Sequence, residues 1–185
     1  MEQKLRETLV EYGRKLVDWG LVQGTWGNVS VRLDENYMLT TPSGIDYARL
    51  TPEDMVKVSI SNLSYEGKVK PTSEKGLHAA IYQSRPDVGA VIHTHAKYSC
   101  AFAAAHKDMP IVNEYRKFLG ESIKLAAYGR PGTKKLAQNT VDALGDGVGA
   151  IMSNHGMVAV GKDIESAFEI CEKIEENGRI YILTR

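Results

Sequence analysis

The chain has 185 residues, 43% of them hydrophobic, which is enough for one domain with a buried core spanning residues 1–185. Its 23 basic and 23 acidic residues cancel, which argues against nucleic acid or an anionic membrane as a main partner. Two cysteines, Cys100 and Cys171, are too few and too far apart for a disulfide framework or a Cys-type zinc finger. With no apolar leader and no long apolar run, a cytoplasmic chain without a membrane span is expected.

In chain order, Leu5, Leu9, Tyr12, Leu16 and Trp19 fall on one helical face, and Gly20 follows as a stop. A glycine-rich turn then runs into a strand bearing Val29, Val31 and Leu33, with Asn36 to Thr41 returning as the second half of a hairpin. Thr51-Pro52 followed by Glu53 and Asp54 starts a short helix, and a strand follows near Val56 to Ile60. Residues 73–84 form a helix and 88–94 a strand, and a further helix passes through YSCAFAAA. Residues 110–128 hold a helical stretch and a short strand, and Thr133 to Leu144 is amphipathic. Two short strands flank an Asn-His-Gly turn before a final helix over 163–182 with Phe168, Cys171 and Ile174 on one face. Mixed helices and hairpin-linked strands predict a layered α/β domain.

The strand GAVIHTHAK ends in His93 and His95, two residues apart and therefore on one face. An unpartnered buried imidazole costs about 1–3 kcal/mol; a divalent metal removes that cost but needs further ligands. His155, in the turn SNHG, is the natural third ligand of a catalytic zinc site. On spacing alone the pair reads equally as metal site or structural pair. His106 reads as a polar helix-end residue, and His78 as packed under the site or facing solvent.

PTSEKG places Thr72 and Ser73 at a helix start just before Glu74. A helix N-terminus suits a phosphate, although an ordinary cap with an acidic first turn has the same appearance. Gly27-Asn28 and Ser43-Gly44 have the same character, and each alone reads also as turn chemistry.

Taken together, QGTWGNVSVR, TTPSGIDY, PTSEKGLHAAIYQSRPDVGAVIHTHAKYS and MSNHGMVAVG resemble, in that order and over nearly the whole chain, the class II aldolase/adducin family and its L-fuculose 1-phosphate aldolase branch. The resemblance implies a three-layer α/β/α sandwich with a predominantly antiparallel mixed sheet. It implies a homotetramer with active sites between subunits and one zinc ion per subunit. His93, His95 and His155 fall on the zinc ligands; Glu74 falls on the catalytic acid–base, which also touches the metal in the resting enzyme. Asn28, Ser43, Gly44, Thr72 and Ser73 fall on phosphate-binding positions, with Gly27 shaping that loop. The implied reaction cleaves a phosphorylated ketose, such as L-fuculose 1-phosphate, into dihydroxyacetone phosphate and an aldehyde through a zinc-stabilised enediolate.

Two departures bear on the substrate. The distal acid that relatives donate from a neighbouring subunit falls on Tyr115 or, with the gap shifted, on Glu114 in MPIVNEYRKFLG, and Tyr115 is favoured. The chain is also expected to lack the C-terminal tail with which some relatives cover the site. Dehydratase, 3-oxo-acid phosphate decarboxylase and pentulose-phosphate 4-epimerase chemistry share this metal site, although epimerases carry aspartate where Glu74 stands. A non-catalytic adducin-like scaffold would need neither the three histidines nor the acid.

Overall fold

A computed structural model describes residues 2–184. Helix α1 (Glu2–Asp18) leads into the hairpin β1 (Asn28–Arg32) and β2 (Tyr37–Thr40), followed by β3 (Val56–Ser59) and α2 (Lys75–Ser84). Strand β4 (Ala90–Thr94), α3 (Lys97–Ala105), the two-residue β5 (Met109–Pro110), α4 (Arg116–Leu119) and β6 (Ser122–Ala126) come next. The chain closes with α5 (Lys134–Leu144), β7 (Gly149–Met152), β8 (Gly156–Gly161) and α6 (Ile164–Leu183).

The eight strands form one open sheet in the order β3-β2-β1-β4-β8-β7-β6-β5. Every neighbouring pair is antiparallel except β6 and β7. This is the expected three-layer arrangement, and alternation along the strands shows how it is built. Ala90 and Ile92 of β4 join a core with Leu9 and Leu16 of α1, Phe102 of α3 and Ile174 of α6. Val91 joins a second core on the opposite face with Leu77 and Ile81 of α2 and Leu136 of α5. His93 continues the Val91 face, so its ring points toward the α2 layer. In register, Asn28 pairs with His93 across β1 and β4, and Val158 pairs with His93 from β8. The histidine strand is therefore central, with neighbours from both halves of the chain.

Two expectations need correction, and β5 is an addition, because two residues carry no readable period. α2 begins at Lys75, so Thr72 and Ser73 lie in the preceding turn. Trp19 falls beyond the end of α1 and is 65% exposed, resting edge-on against Phe168. No helix among the described residues is long and apolar enough to cross a membrane.

Two carboxylates fix helix ends that position the site. Glu175 of α6 accepts hydrogen bonds from the backbone N–H groups of Tyr98 (2.6 Å) and Ser99 (2.9 Å), capping α3 where the chain leaves β4. Asp163 caps α6 through Ser166 N–H (2.8 Å) in a reciprocal capping box. Those bonds hold the Asp163 carboxyl below its ordinary value. Asp163→Ala is expected to lower stability by about 1 kcal/mol in a urea melt. The carboxylate's contribution should be full above the unfolded-state value of about 3.9 and lost as pH falls through the lower folded value, so the variant and parent should converge in acid.

Candidate metal centre and phosphate cleft

Each side chain of the site arrives from a different element. His93 comes from the end of β4, and His95 lies just past it. His155 sits in the turn between β7 and β8, where Asn154 takes φ +55 and so tightens the reversal. Two glycines let these parts close. A Cβ on Gly156 would collide with the Thr94 carbonyl and press on the rings of His93 and His95. Gly27, at φ +85, lies so close that a Cβ would meet the His93 carbonyl at 2.7 Å.

The three rings form a triangle, with centroid separations of 4.8, 4.8 and 4.9 Å. One nitrogen from each of His93, His95 and His155 lies within 4.8 Å of the others. The tautomer of His93 follows from its partners. Its Nδ1 lies 2.8 Å from the carbonyl of Met157, and a carbonyl only accepts, so a hydrogen is on Nδ1 and, in the neutral ring, Nε2 is bare. That bare nitrogen lies 2.9 Å from His95 Nε2 and 3.1 Å from Glu74 Oε2. A lone pair facing a carboxylate at that distance is repulsive unless a proton or cation lies between them. Glu74 Oε1 stands 3.5 Å from His155 Nε2, and both Glu74 Oε1 and His155 Nδ1 are buried without a hydrogen-bond partner. The donor set therefore fits a divalent cation, with three imidazoles as ligands and the carboxylate beside them.

The electrostatics agree. Burial, then any positive charge on the neighbouring His93 or His155, pushes His95 down to about 4. Burial, then His93, also lowers His155. Both rings are neutral at neutral pH, as ligands must be. Burial acts to raise Glu74; with a proton on His93 Nε2 in place of a cation, that hydrogen bond and charge, with His155 and Asn28, outweigh it and hold the carboxyl well below its usual range.

Glu74 is buried and makes no capping bond at α2, so it is not simply an acidic first-turn residue. Its backbone N–H donates to Thr72 Oγ1 (3.2 Å), and its carboxylate accepts from Asn28 Nδ2 (3.1 Å). A cleft of about 290 Å³ opens above it, lined by Gly27, Asn28, Ser43, Gly44, Thr72, Ser73, Glu74, His95 and His155. The structure thus gathers the expected phosphate-loop residues around two of the histidines. Thr25 and Pro131 also line it. A larger cavity of about 580 Å³ lies near the β3 edge among Arg6, Tyr37, Glu53 and Lys68; it holds no histidine and no metal-type cluster, so chemistry favours the smaller cleft.

Glu114 and Tyr115 are not in that cleft. They occupy a short 3-10 turn, Asn113–Tyr115, and Tyr115 lines a separate groove with Trp19, Leu21 and Glu172. Two further side chains lie beside the site. Trp26, 63% exposed, lies with its ring 5.8 Å from that of His95 at the rim. His78, fully buried, contacts Asn28 beneath the cleft. Its signal was present as the four-residue spacing from Glu74, which puts both on one face at the start of α2.

Comparison with known proteins places the chain in a family. Residues 7–182 match the family model described as Class II Aldolase and Adducin N-terminal domain. A 5-deoxy-D-ribulose 1-phosphate aldolase from Bacillus thuringiensis is 35% identical, over 99% of this chain and 86% of the relative. An L-fuculose phosphate aldolase from Escherichia coli is 34% identical, over 98% of this chain and 84% of its own length. A solved L-fuculose 1-phosphate aldolase superposes with a TM-score of 0.93 at 34% identity, covering 98% of this chain and 86% of that one. The chain belongs to the class II aldolase and adducin family.

Gly156→Ala is expected to weaken metal retention tenfold or more, on the scale of lost ligand support. Metal content after dialysis is the measurement, with a circular-dichroism spectrum to confirm that the sheet is retained.

Proposed function

We propose that the protein is a zinc-dependent aldolase that reversibly cleaves a phosphorylated ketose into dihydroxyacetone phosphate and an aldehyde. The observation that carries this reading is the juxtaposition of three imidazoles and the buried Glu74 carboxylate with a cleft edged by Asn28, Ser43, Gly44, Thr72 and Ser73. A metal centre and a set of phosphate donors then face one small substrate. The names of the relatives, which act on L-fuculose phosphate and 5-deoxyribulose phosphate, favour a deoxyketose 1-phosphate.

His93, His95 and His155 would hold the metal. Zinc there would supply a Lewis acid able to stabilise the negative charge that develops on the substrate's oxygens as the carbon–carbon bond breaks. The hydroxyls of Ser43, Thr72 and Ser73, the Gly44 backbone and the Asn28 amide bind the phosphate and fix the reacting carbons below it. Glu74 carries the proton to or from the enediolate carbon, which its position beside the imidazoles allows once it turns toward the substrate. The aldehyde oxygen needs a separate acid. Because Tyr115 and Glu114 lie outside their own cleft, this reading places them at the cleft of a neighbouring copy in a homotetramer, with Tyr115 as the donor.

The test is release of dihydroxyacetone phosphate from L-fuculose 1-phosphate and 5-deoxyribulose 1-phosphate. Release that stops with a chelator and returns with zinc is expected. Metal-loaded protein that releases none from either would move the assignment to dehydration, decarboxylation or epimerisation. Glu74→Gln should keep its metal and lose about 10²–10⁴-fold in turnover; near-normal turnover would remove Glu74 from proton transfer.

A further inference from the structure

Beneath the cleft, a row of buried polar side chains runs from Glu74 into the core between β1 and α2. Asn28 Nδ2 lies 3.1 Å from Glu74 Oε2, and Asn28 Oδ1 meets His78 Nε2 in a short hydrogen bond. His78 Nδ1 lies 2.6 Å from Ser30 Oγ, which lies 2.8 Å from the hydroxyl of Tyr82. Asn28, Ser30 and His78 are buried, and Tyr82 is buried at the end of the row. Tyr82 is itself fixed, since Arg32 donates to its carbonyl at 2.8 Å and stacks over its ring at 4.6 Å.

The direction of each bond can be worked out from one end. An ionised carboxylate only accepts, so the Asn28 amide must present its NH2 group to Glu74. Its oxygen then faces His78, and an amide oxygen also only accepts, so His78 carries its hydrogen on Nε2. A neutral ring has one hydrogen, so Nδ1 is bare and accepts from Ser30. Ser30, having given its hydrogen, accepts from Tyr82. Reversing any member would turn the Asn28 oxygen toward the Glu74 carboxylate. The row has two self-consistent polarities, and only one puts a donor into the cleft.

We infer that His78 is a positioning residue: held as the Nε2–H tautomer by Ser30 and Tyr82, it locks the Asn28 amide with its NH2 group toward the cleft, so that one donor serves the Glu74 carboxylate in the resting site and an oxyanion of the substrate's phosphate when Glu74 turns away. The transfer to phosphate rests on the proposed function; the tautomer lock does not. The arrangement also explains why a histidine is buried here with no charged partner of its own. Both ring nitrogens are satisfied by neutral groups, and burial pushes its pKa down to about 3.

The first measurement is 15N NMR of histidine rings in the zinc-loaded protein. With five histidines in the chain, His78 is assigned through contacts to Tyr82 and Ser30. A protonated Nε2 and bare Nδ1, unchanged between neutral and mildly alkaline pH, are expected; hydrogen on Nδ1, or on both nitrogens, overturns the lock. The second measurement is binding of inorganic phosphate to zinc-loaded variants. His78→Leu removes the donor to Asn28 and should weaken phosphate about tenfold with metal content unchanged. His78→Gln keeps an N–H at the Nε2 position and should recover most of that loss. In turnover, the His78→Leu defect should appear mainly in KM. Equal phosphate binding by parent, Leu and Gln variants would overturn the positioning role. A protein with no aldolase activity but with the expected tautomer and phosphate pattern would sink the proposed function and leave this inference standing.

Discussion

The hydrogen bond from His93 Nδ1 to the carbonyl of Met157 decides which nitrogen of that ring is available to the cleft. It is a contact between neighbouring strands, β4 and β8, and it exists because their antiparallel register sets His93 opposite Val158 with Met157 one residue away. A shift of one residue would turn His93 to the opposite core, among Ile92's partners rather than beside α2. The chemistry of the ring is thus fixed by backbone pairing. Glu74 then settles beside that nitrogen, and a proton or cation between them, with the buried Asn28 donor, makes an ionised carboxylate tolerable there.

The same logic accounts for the glycines. Gly27 and Gly156 lie on either side of the histidine strand, and each approaches its backbone more closely than any side chain would permit. Gly27 brings Asn28 level with His93, and Gly156 lets the β7–β8 turn carry His155 in from the opposite side. Capping of α3 by Glu175 holds the segment immediately after His95. The triangle of rings is therefore supported by backbone approach on two sides and by a helix cap at its exit.

Much of this was legible in the sequence because it is local and periodic. The two-residue spacing of His93 and His95, the apolar strand before them and the SNHG turn could each be placed on an element, the TSE triplet fell within a turn of its helix, and the long helices follow from the spacing of Leu9, Leu16, Phe168 and Ile174. What was not legible depends on long-range pairing. β5 is defined by its neighbour β6 and has no pattern of its own. His78 was open between packing and solvent, since spacing puts it under Glu74 but does not say that β1 lies there with Asn28 and Ser30. Trp19 carried the period of α1 but lies past its end, where the chain has already turned. Tyr115 and Glu114 sit in one short turn, and local sequence does not say whether that turn lies at the cleft or away from it.

The four groups around the candidate metal centre come from the residue just before α2, from β4 and its exit, and from the β7–β8 turn, at residues 74, 93, 95 and 155. Any cation that binds them together therefore closes long loops through the middle of the sheet and bridges segments that are far apart in the unfolded chain. Its binding energy becomes folding energy of the whole layer system, since the unfolded chain presents no such site. Loss of the cation would then be felt as a lower melting temperature of the entire molecule, coupled to free metal concentration, and opening of the central strand would release the metal.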